Sequence, residues 1–407
     1  MSRFLFTMMF TNDLGLPNRT VPIALELQKK GHEVAFCNHE AAPAKLLAEA
    51  GLENLGFRER GNLTVIPDLA QPWNMDHFYC FYGCMDEAFL RNECEGMMEV
   101  IKEYSPDIVV DTWGLTGCLA ARALGKPLVS IIQADMHPQG RDMIWWKDPP
   151  EDLPTCVPVV NRVMSDYGLE PIYRTDELHV GDLTLIAGIP ETDPLSPGTD
   201  AIYVGPILYQ KPGAKLSDSV SRLDAKKPVL WVYTATPRYF EPFITMGDSA
   251  VIMKACIETF ADKDVQVVLT TGYRDLPSDT TSFPANFIYE TFVPGLLMAK
   301  RSDAIVHHGG HGASLTGPYT GTPAVIIPTF SERESNARRI ADLGAAELIV
   351  PTEDKDLEKH VSAKEVWMKV KQVLTDPSYT ENARQVGKKM RDYGGVNKAV
   401  QLIEDFA

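Results

Sequence analysis

Residues 303–328 read "DAIVHHGGHGASLTGPYTGTPAVIIP". A short apolar run at 304–306 ends in two histidines, three glycines in four residues surround a third histidine, and a second apolar run follows at 324–327. The pattern predicts a buried strand, a turn almost without side chains, a helix opening at "GGHGAS", and a further strand. The first turn of a helix has backbone N–H groups without intrahelical acceptors, and the helix dipole puts its positive end there. Glycines remove the Cβ atoms that would keep a ligand away, so the segment fits a cradle for a diphosphate. His308 and His311 are then candidate imidazole donors and Ser314 a candidate hydroxyl. The same residues also fit a tight strand-to-helix turn with core histidines.

Strands and helices alternate on both sides of this stretch. From 228 the chain reads "PVLWVYTAT", a helix over 249–261, "VQVVLTTG", "NFIYETF" and a short helix at "GLLMAKR". After the quoted segment come a helix at 335–343, a strand at 346–350 and helical stretches at 363–374 and 380–406. The N-terminal half has the same rhythm. Strands are expected at 3–10, 33–37, 106–112 and 127–132, with helices at 22–30 and 85–104. Such alternation predicts parallel sheets covered on both faces. The segment 190–226, rich in Pro, Gly, Ser and Asp, reads as an interdomain linker. Two such halves imply a cleft with the ligand beyond the carboxyl ends of the strands.

The length of 407 residues exceeds what one hydrophobic core usually supports. A net charge of −16 argues against nucleic acid or an anionic membrane as a bulk partner. No apolar run is long enough to span a bilayer, and the N-terminal run lacks a cleavage site for a signal peptide. Seven scattered cysteines read as reduced cytosolic thiols, so a cytoplasmic location is expected.

The quoted segment resembles the nucleotide-sugar signature of the UDP-glycosyltransferase superfamily, inverting enzymes with the GT-B fold whose bacterial members often carry His-Gly-Gly-His-Gly here. "IALELQKKGHEVAF", "PDIVVDTWGLTGCLAARALGKPLVS", "ETFVPGLLMAKRSDAIVHHGG" and "GTPAVIIPTFSERESNARRIADLGAA" extend the resemblance over nearly the whole chain. It implies an α/β architecture of two Rossmann-like domains facing each other across a cleft. The expected bounds are 1–210 for the acceptor domain and 211–385 for the donor domain, with 386–407 a helix returning to the first.

The resemblance also assigns residues. Phe292 stands where the base-stacking aromatic sits, with Val293 offering its backbone to the nucleobase. His308, Gly310, Gly312 and Ser314 would hold the diphosphate. Glu332 would bind sugar hydroxyls, Asn336 lies near the phosphate end, and Thr234 and Thr236 occupy the first-strand turn of the donor domain. Three departures stand out. Arg333 replaces the glutamine after the acidic residue, which favours a sugar with an acidic group. Thr316 replaces a ribose-binding glutamate and offers one hydroxyl where a carboxylate would accept from both ribose hydroxyls. The loop before Pro22 has Arg19 where the catalytic histidine is usual, and an arginine stays protonated.

That loop does offer Asp13, either a carboxylate base or part of an Asx-type turn. Asp111 resembles the orienting aspartate and is a second catalytic candidate. His137 is a further base candidate. Arg19, Trp73, Phe78, His137 and Trp145 are expected at the acceptor, because "WNMDHFYCFYGCMDEAF" and "MHPQGRDMIWWKDPP" are dense in aromatics and Met and suit a lipophilic molecule; both segments also fit interdomain core. The Asp-x-Asp strings at 262–264 and 354–356 read as solvated turns, so no metal and no cofactor beyond the UDP- or TDP-sugar donor is expected. The resulting expectation is an inverting, metal-independent glycosyltransferase, a monomer or homodimer. The alternative is a helper protein of the same fold that lost its base.

Overall fold

The computed structural model describes residues 1–11, 14–58, 71–234, 249–273, 275–276, 280, 282–355 and 358–407. Contacts divide the chain into two units, Met1–Tyr209 with Asp392–Ala407, and Gln210–Arg391.

The first unit opens with β1 (Arg3–Met8), α1 (Gly15–Lys29), β2 (Glu33–Phe36), α2 (Ala41–Ala50) and β3 (Glu53–Asn54). It continues with α3 (Met75–Phe81), α4 (Glu87–Tyr104), β4 (Ile108–Thr112), α5 (Leu115–Ala123) and β5 (Leu128–Ile132). Then come α6 (Val157–Asp166), β6 (Leu183–Ile186) and β7 (Ile202–Tyr203). The strands pair in parallel in the order β3-β2-β1-β4-β5-β6-β7, which reverses between β1 and β4. Successive residues Phe4, Leu5 and Phe6 are all fully buried, so both faces of the sheet are covered. Helix α1 begins well before Pro22, which lies inside it. Pro17 falls in the first turn, where a missing N–H costs nothing, and the burial of Val21, Ile23, Ala24 and Leu27 holds the helix together through Pro22.

The second unit contains α7 (Asp218–Ser221), β8 (Val229–Tyr233), α8 (Ala250–Phe260), β9 (Gln266–Thr270), β10 (Phe287–Glu290) and α9 (Gly295–Arg301). Next are β11 (Ala304–His307), α10 (His311–Thr320), β12 (Ala324–Ile326), α11 (Ser331–Asp342) and β13 (Ala346–Leu348). The hairpin of β14 (Thr352–Glu353) and β15 (Lys359–His360) precedes α12 (Ala363–Thr375) and α13 (Pro377–Asp392). The main sheet runs β10-β9-β8-β11-β12-β13, again parallel, and reverses between β8 and β11. Val232, Val267, Val306 and Val325 pack on one side, and Trp231, Val268, Ile305 and Ile326 on the other.

The last helical stretch is interrupted. Gly394 and Gly395 both have positive φ, at 93° and 56°, which ends α13 and starts α14 (Gly395–Phe406). A boundary at 386 therefore falls inside α13, and the chain rejoins the first unit at Asp392. There α14 packs on α1, Glu404 meets Lys30 at 2.7 Å and His32 at 3.2 Å, and Gly395 N donates to the Val204 carbonyl at 2.7 Å. Among the described residues no helix is long and apolar enough to cross a membrane. Ile403 is fully buried in α14. Ile403→Ala is expected to lower unfolding free energy by about 2–5 kcal/mol, read from urea denaturation followed by circular dichroism.

Candidate functional site

Ligands of open parallel sheets bind beyond the carboxyl ends of the strands where the order reverses. In the second unit that point lies between β8 and β11, whose last residues Tyr233 and His307 are neighbours in register. Thr234 continues β8, and His308-Gly309-Gly310 carries β11 into α10. Gly309 has φ +90°, and a Cβ there would lie 2.6 Å from the Arg333 carbonyl oxygen, so only glycine fits this approach. Gly309 N donates to His307 Nδ1 at 3.1 Å. Its carbonyl accepts from Ser314 Oγ at 3.2 Å and Asn336 Nδ2 at 3.1 Å. Asn336 also donates to Glu332 Oε1 at 2.6 Å. Ser314 and Asn336 thus hold the loop backbone, and Glu332 holds Asn336. Gly312 differs from these, because a Cβ added there would meet nothing within 4 Å. The first turn of α10 is open on that side.

Three polar atoms around these strand ends are buried without hydrogen-bond partners: Thr234 Oγ1, His307 Nε2 and His308 Nδ1. His307 accepts the Gly309 N–H on Nδ1, so its neutral ring carries the proton on Nε2. Burial lowers its pKa to about 3. The His308 ring is bonded to the Tyr233 backbone, and burial, then Arg333 and His307, hold its pKa well below the ordinary value. Arg333 donates to Ser249 Oγ at 3.1 Å and Thr329 Oγ1 at 2.5 Å, and lies 4.5 Å over the Phe330 ring. Thr316 donates its hydroxyl to the Gly312 carbonyl at 2.7 Å.

Phe292 is not a core aromatic. It is 42% exposed and stacks on Tyr273, with ring centroids 4.6 Å apart and planes 4° from parallel. Sequence reasoning missed Tyr273, whose positive φ of 67° leaves no mark in composition. Val293 packs into the core below, and Thr236 lies outside the described residues.

In the first unit the order reverses between β1 and β4. Asp13 lies outside the described residues. Arg19 is buried and donates to Thr112 Oγ1 at 3.4 Å and Gln133 Oε1 at 3.3 Å, beyond the ends of β4 and β5. Asp111 is fully buried, and its oxygens accept from Thr7 Oγ1 at 2.6 Å, Gly114 N at 2.9 Å and Cys118 Sγ at 3.3 Å. A Cβ on Gly114 or Gly117 would lie 2.3 or 2.6 Å from Asp111 Oδ2, so the start of α5 closes over the carboxylate. Asp111 thus sits among its own hydrogen-bond partners beneath the start of α5. His137 is buried and accepts the Gln139 N–H on Nδ1 at 3.1 Å. Its neutral ring then carries the proton on Nε2, which meets no hydrogen-bond partner among the described residues.

The two aromatic segments meet: Ile144 N donates to the Trp73 carbonyl at 3.4 Å, and Trp73 N donates to His77 Nδ1 at 3.1 Å. Trp145 packs edge-on against Trp146 with Arg141 5.5 Å over its ring, and Phe78 packs edge-on against Trp113. Two groups among the described residues bring three metal-ligating atoms together, Asp111-Cys118-His179 in the interior and Asp354-Glu358-His360 on the surface. In the buried group the Cys118 thiol donates to Asp111 Oδ1 at 3.3 Å, and its Sγ lies 3.7 Å from His179 Nδ1. In the exposed group, His360 pairs with Asp354 across the β14–β15 hairpin at 3.0 Å.

Two parallel Rossmann-ordered units with a glycine-lined loop at the second switch point define a GT-B protein. Residues 254–400 match the family described as "Erythromycin biosynthesis protein CIII-like, C-terminal domain". The "NDP-glycosyltransferase YjiC" of Bacillus subtilis (strain 168) is 23% identical over 420 residues, covering 100% of this chain and 98% of that protein. Among solved structures, "Spinosyn Forosaminyltransferase SpnP" superposes with a TM-score of 0.73 at 20% identity, covering 100% of this chain and 99% of the other. The glycosyltransferase VinC in complex with DTDP gives 0.71 at 18% identity, covering 99% and 98%. The chain thus shares the GT-B fold and is similar along its whole length to glycosyltransferases, those of natural products among them.

Burial pushes the Asp111 carboxyl up to about 7, against the downward pull of its bonds to Thr7, Gly114 and Cys118. A folded pKa above the unfolded one means that this group's contribution is complete below about pH 4 and is lost as pH rises through about 7. Asp111→Asn removes the titration. Its stability relative to wild type is expected to improve by up to roughly 4 kcal/mol between acid and pH 8, measured by denaturation at a series of pH values.

Proposed function

We propose that the protein moves a sugar from a nucleoside diphosphate to a hydroxyl of a small lipophilic acceptor, inverting the anomeric carbon in a single displacement. The acceptor oxygen forms a bond to that carbon as the bond to the diphosphate oxygen breaks. The electron pair leaves on the diphosphate, and the acceptor proton passes to a carboxylate. The observation that carries this reading is the open side of α10 at Gly312, at the switch point of the second unit. The leaving diphosphate there meets the positive end of a helix, which stabilises developing charge at the moment it appears. This supplies the role a divalent cation plays elsewhere, so the reading includes no metal.

Phe292, already backed by Tyr273, offers its other face to the nucleobase. A pyrimidine nucleotide, UDP or dTDP, fits the reading, and the DTDP complex of the similar VinC supports the latter. Glu332 and Arg333 stand at the sugar end. The base is assigned to Asp13 by exclusion: Arg19 stays protonated, Asp111 is sealed under α5, and His137 presents a proton and no lone pair. Phe78 and His137 belong to the acceptor side.

Two variants separate the parts of this reading. At about 100 times its dissociation constant, UDP or dTDP is expected to stabilise the wild type by about 2.7 kcal/mol in a thermal-shift assay. Gly312→Val costs the free protein less than about 1 kcal/mol, because its side chain enters open space, yet removes most of that ligand stabilisation. Asp13→Asn keeps the stabilisation and loses sugar transfer. Full stabilisation of Gly312→Val by both nucleotides would put the diphosphate elsewhere.

A further inference from the structure

Trp113 follows the end of β4 at the point where strand order reverses, and its φ is +63°. A bulky residue rarely adopts the left-handed region, and holding it there costs free energy of about 1–3 kcal/mol unless its surroundings compensate. The compensation is visible on both sides of a single peptide. The Trp113 carbonyl accepts from Tyr79 Oη at 3.1 Å, and the next amide, Gly114 N, donates to Asp111 Oδ1 at 2.9 Å.

These two anchors are joined behind the peptide. Tyr79 Oη lies 2.6 Å from His179 Nε2. Since Tyr79 donates to the Trp113 carbonyl, His179 must donate from Nε2, which leaves Nδ1 as an acceptor facing Cys118 Sγ at 3.7 Å. Cys118 in turn bonds Asp111 Oδ1 at 3.3 Å, and Thr7 secures Oδ2 at 2.6 Å. Tyr79, His179, Cys118, Asp111 and Thr7 are each 2% exposed or less. The result is a ring of polar contacts around one strained peptide plane, in which the single Cys118 S–H goes to Asp111 Oδ1 and the approach of Sγ to His179 Nδ1 is a contact without a proton.

The ring holds a side chain with a vacancy of its own. Trp113 is 7% exposed, packs edge-on against Phe78 with centroids 5.0 Å apart, and its indole Nε1–H has no hydrogen-bond partner among the described residues. A buried donor without an acceptor is destabilising by about 1–3 kcal/mol. Strain and an unmet donor thus coincide at one residue at the carboxyl edge of the first sheet, close to Arg19 through Thr112.

We propose that the Tyr79-His179-Cys118-Asp111 ring is a clamp that holds Trp113 in its left-handed conformation, so that its indole forms a wall of the acceptor site and donates from Nε1 to an oxygen of the acceptor. The substrate class is an apolar molecule with a carbonyl, ether or hydroxyl oxygen beside its flat or lipophilic body. Trp113 determines specificity by touching the acceptor; Tyr79 and Asp111 are positioning residues that act through it. This rests on the transfer reading above for the identity of the acceptor.

The test is fluorine NMR on protein labelled with fluorotryptophan, combined with transfer kinetics on a flavonol, naphthol and a macrolactone. The Trp113 resonance is assigned by its loss in Trp113→Phe. It is expected to shift when an acceptor is added, and to stand at a different position in Tyr79→Phe even without ligand. Both variants should raise the acceptor KM about tenfold, the equivalent of one neutral hydrogen bond, while the donor KM and the UDP or dTDP thermal shift stay at wild-type values. A Trp113 resonance unmoved by an acceptor that the wild type glycosylates, or an unchanged acceptor KM in Trp113→Phe, overturns the proposal and leaves the transfer reading intact. If the wild type glycosylates none of the three, the transfer reading fails. The resonance then decides alone: movement with a panel compound supports the clamp, and no movement with any of them overturns it.

Discussion

The approach of the Gly309 backbone to the Arg333 carbonyl is the constraint on which the second unit's site depends. With φ at +90° and no room for a Cβ, Gly309 lets the chain leave β11 and enter α10 within three residues. That turn aims the first turn of α10 at the strand ends, where the order of the sheet reverses. Ser314 and Asn336 then converge on the carbonyl of the same glycine and stop the loop from relaxing. Side chains that a family resemblance assigns to a ligand are here occupied in holding backbone for it. A backbone cradle needs such fixing, because N–H groups stabilise developing charge only when they need no reorganisation.

The first unit solves the equivalent problem with different chemistry. Its switch point between β1 and β4 has no glycine-rich cradle; a tryptophan stands there in a backbone region that glycine favours. There Cys118 donates to Asp111 and Tyr79 and His179 bond each other in the dry interior, where an unmet polar group is expensive. An anion needs exposed amides, and an apolar ligand needs a rigid aromatic wall. The two sheets share strand order and differ in what they present at the same topological position.

The alternation of apolar runs and helical periods made both sheets legible, because parallel strands buried on two faces must be nearly continuous in apolar residues, as in "RFLFTM" and "AIVH". The glycine loop was legible for a similar reason: absent side chains are a positive signal when they follow a strand. Hydrogen-bond partners were not. Nothing in "DTWGLTGC" announces that Asp111 turns inward to Gly114 and Cys118, or that Tyr79 and His179, 34 and 66 residues from Trp113, complete the ring (113 − 79 and 179 − 113). The start of α1 was misplaced because proline is a strong local signal, while the burial that overrides it is tertiary. His137 was read as a base candidate because its type permits it, whereas its tautomer is set by the Gln139 amide.

That last point bears on how so acidic a chain, at −16, can hold an anionic diphosphate. His77, His137 and His307 each accept a backbone N–H on Nδ1, and burial lowers the pKa of each. All three are therefore neutral near pH 7, and each presents an N–H and no charge. Under the proposed transfer, the attraction on the diphosphate is short-range and fixed: the amides at the start of α10 and its dipole. Beyond about 8 Å at physiological salt, the repulsion from the acidic surface is largely screened. Within that distance the oriented dipoles act on the phosphates with little intervening water. Under that proposal net charge bears on solubility, and the loop between β11 and α10 on binding.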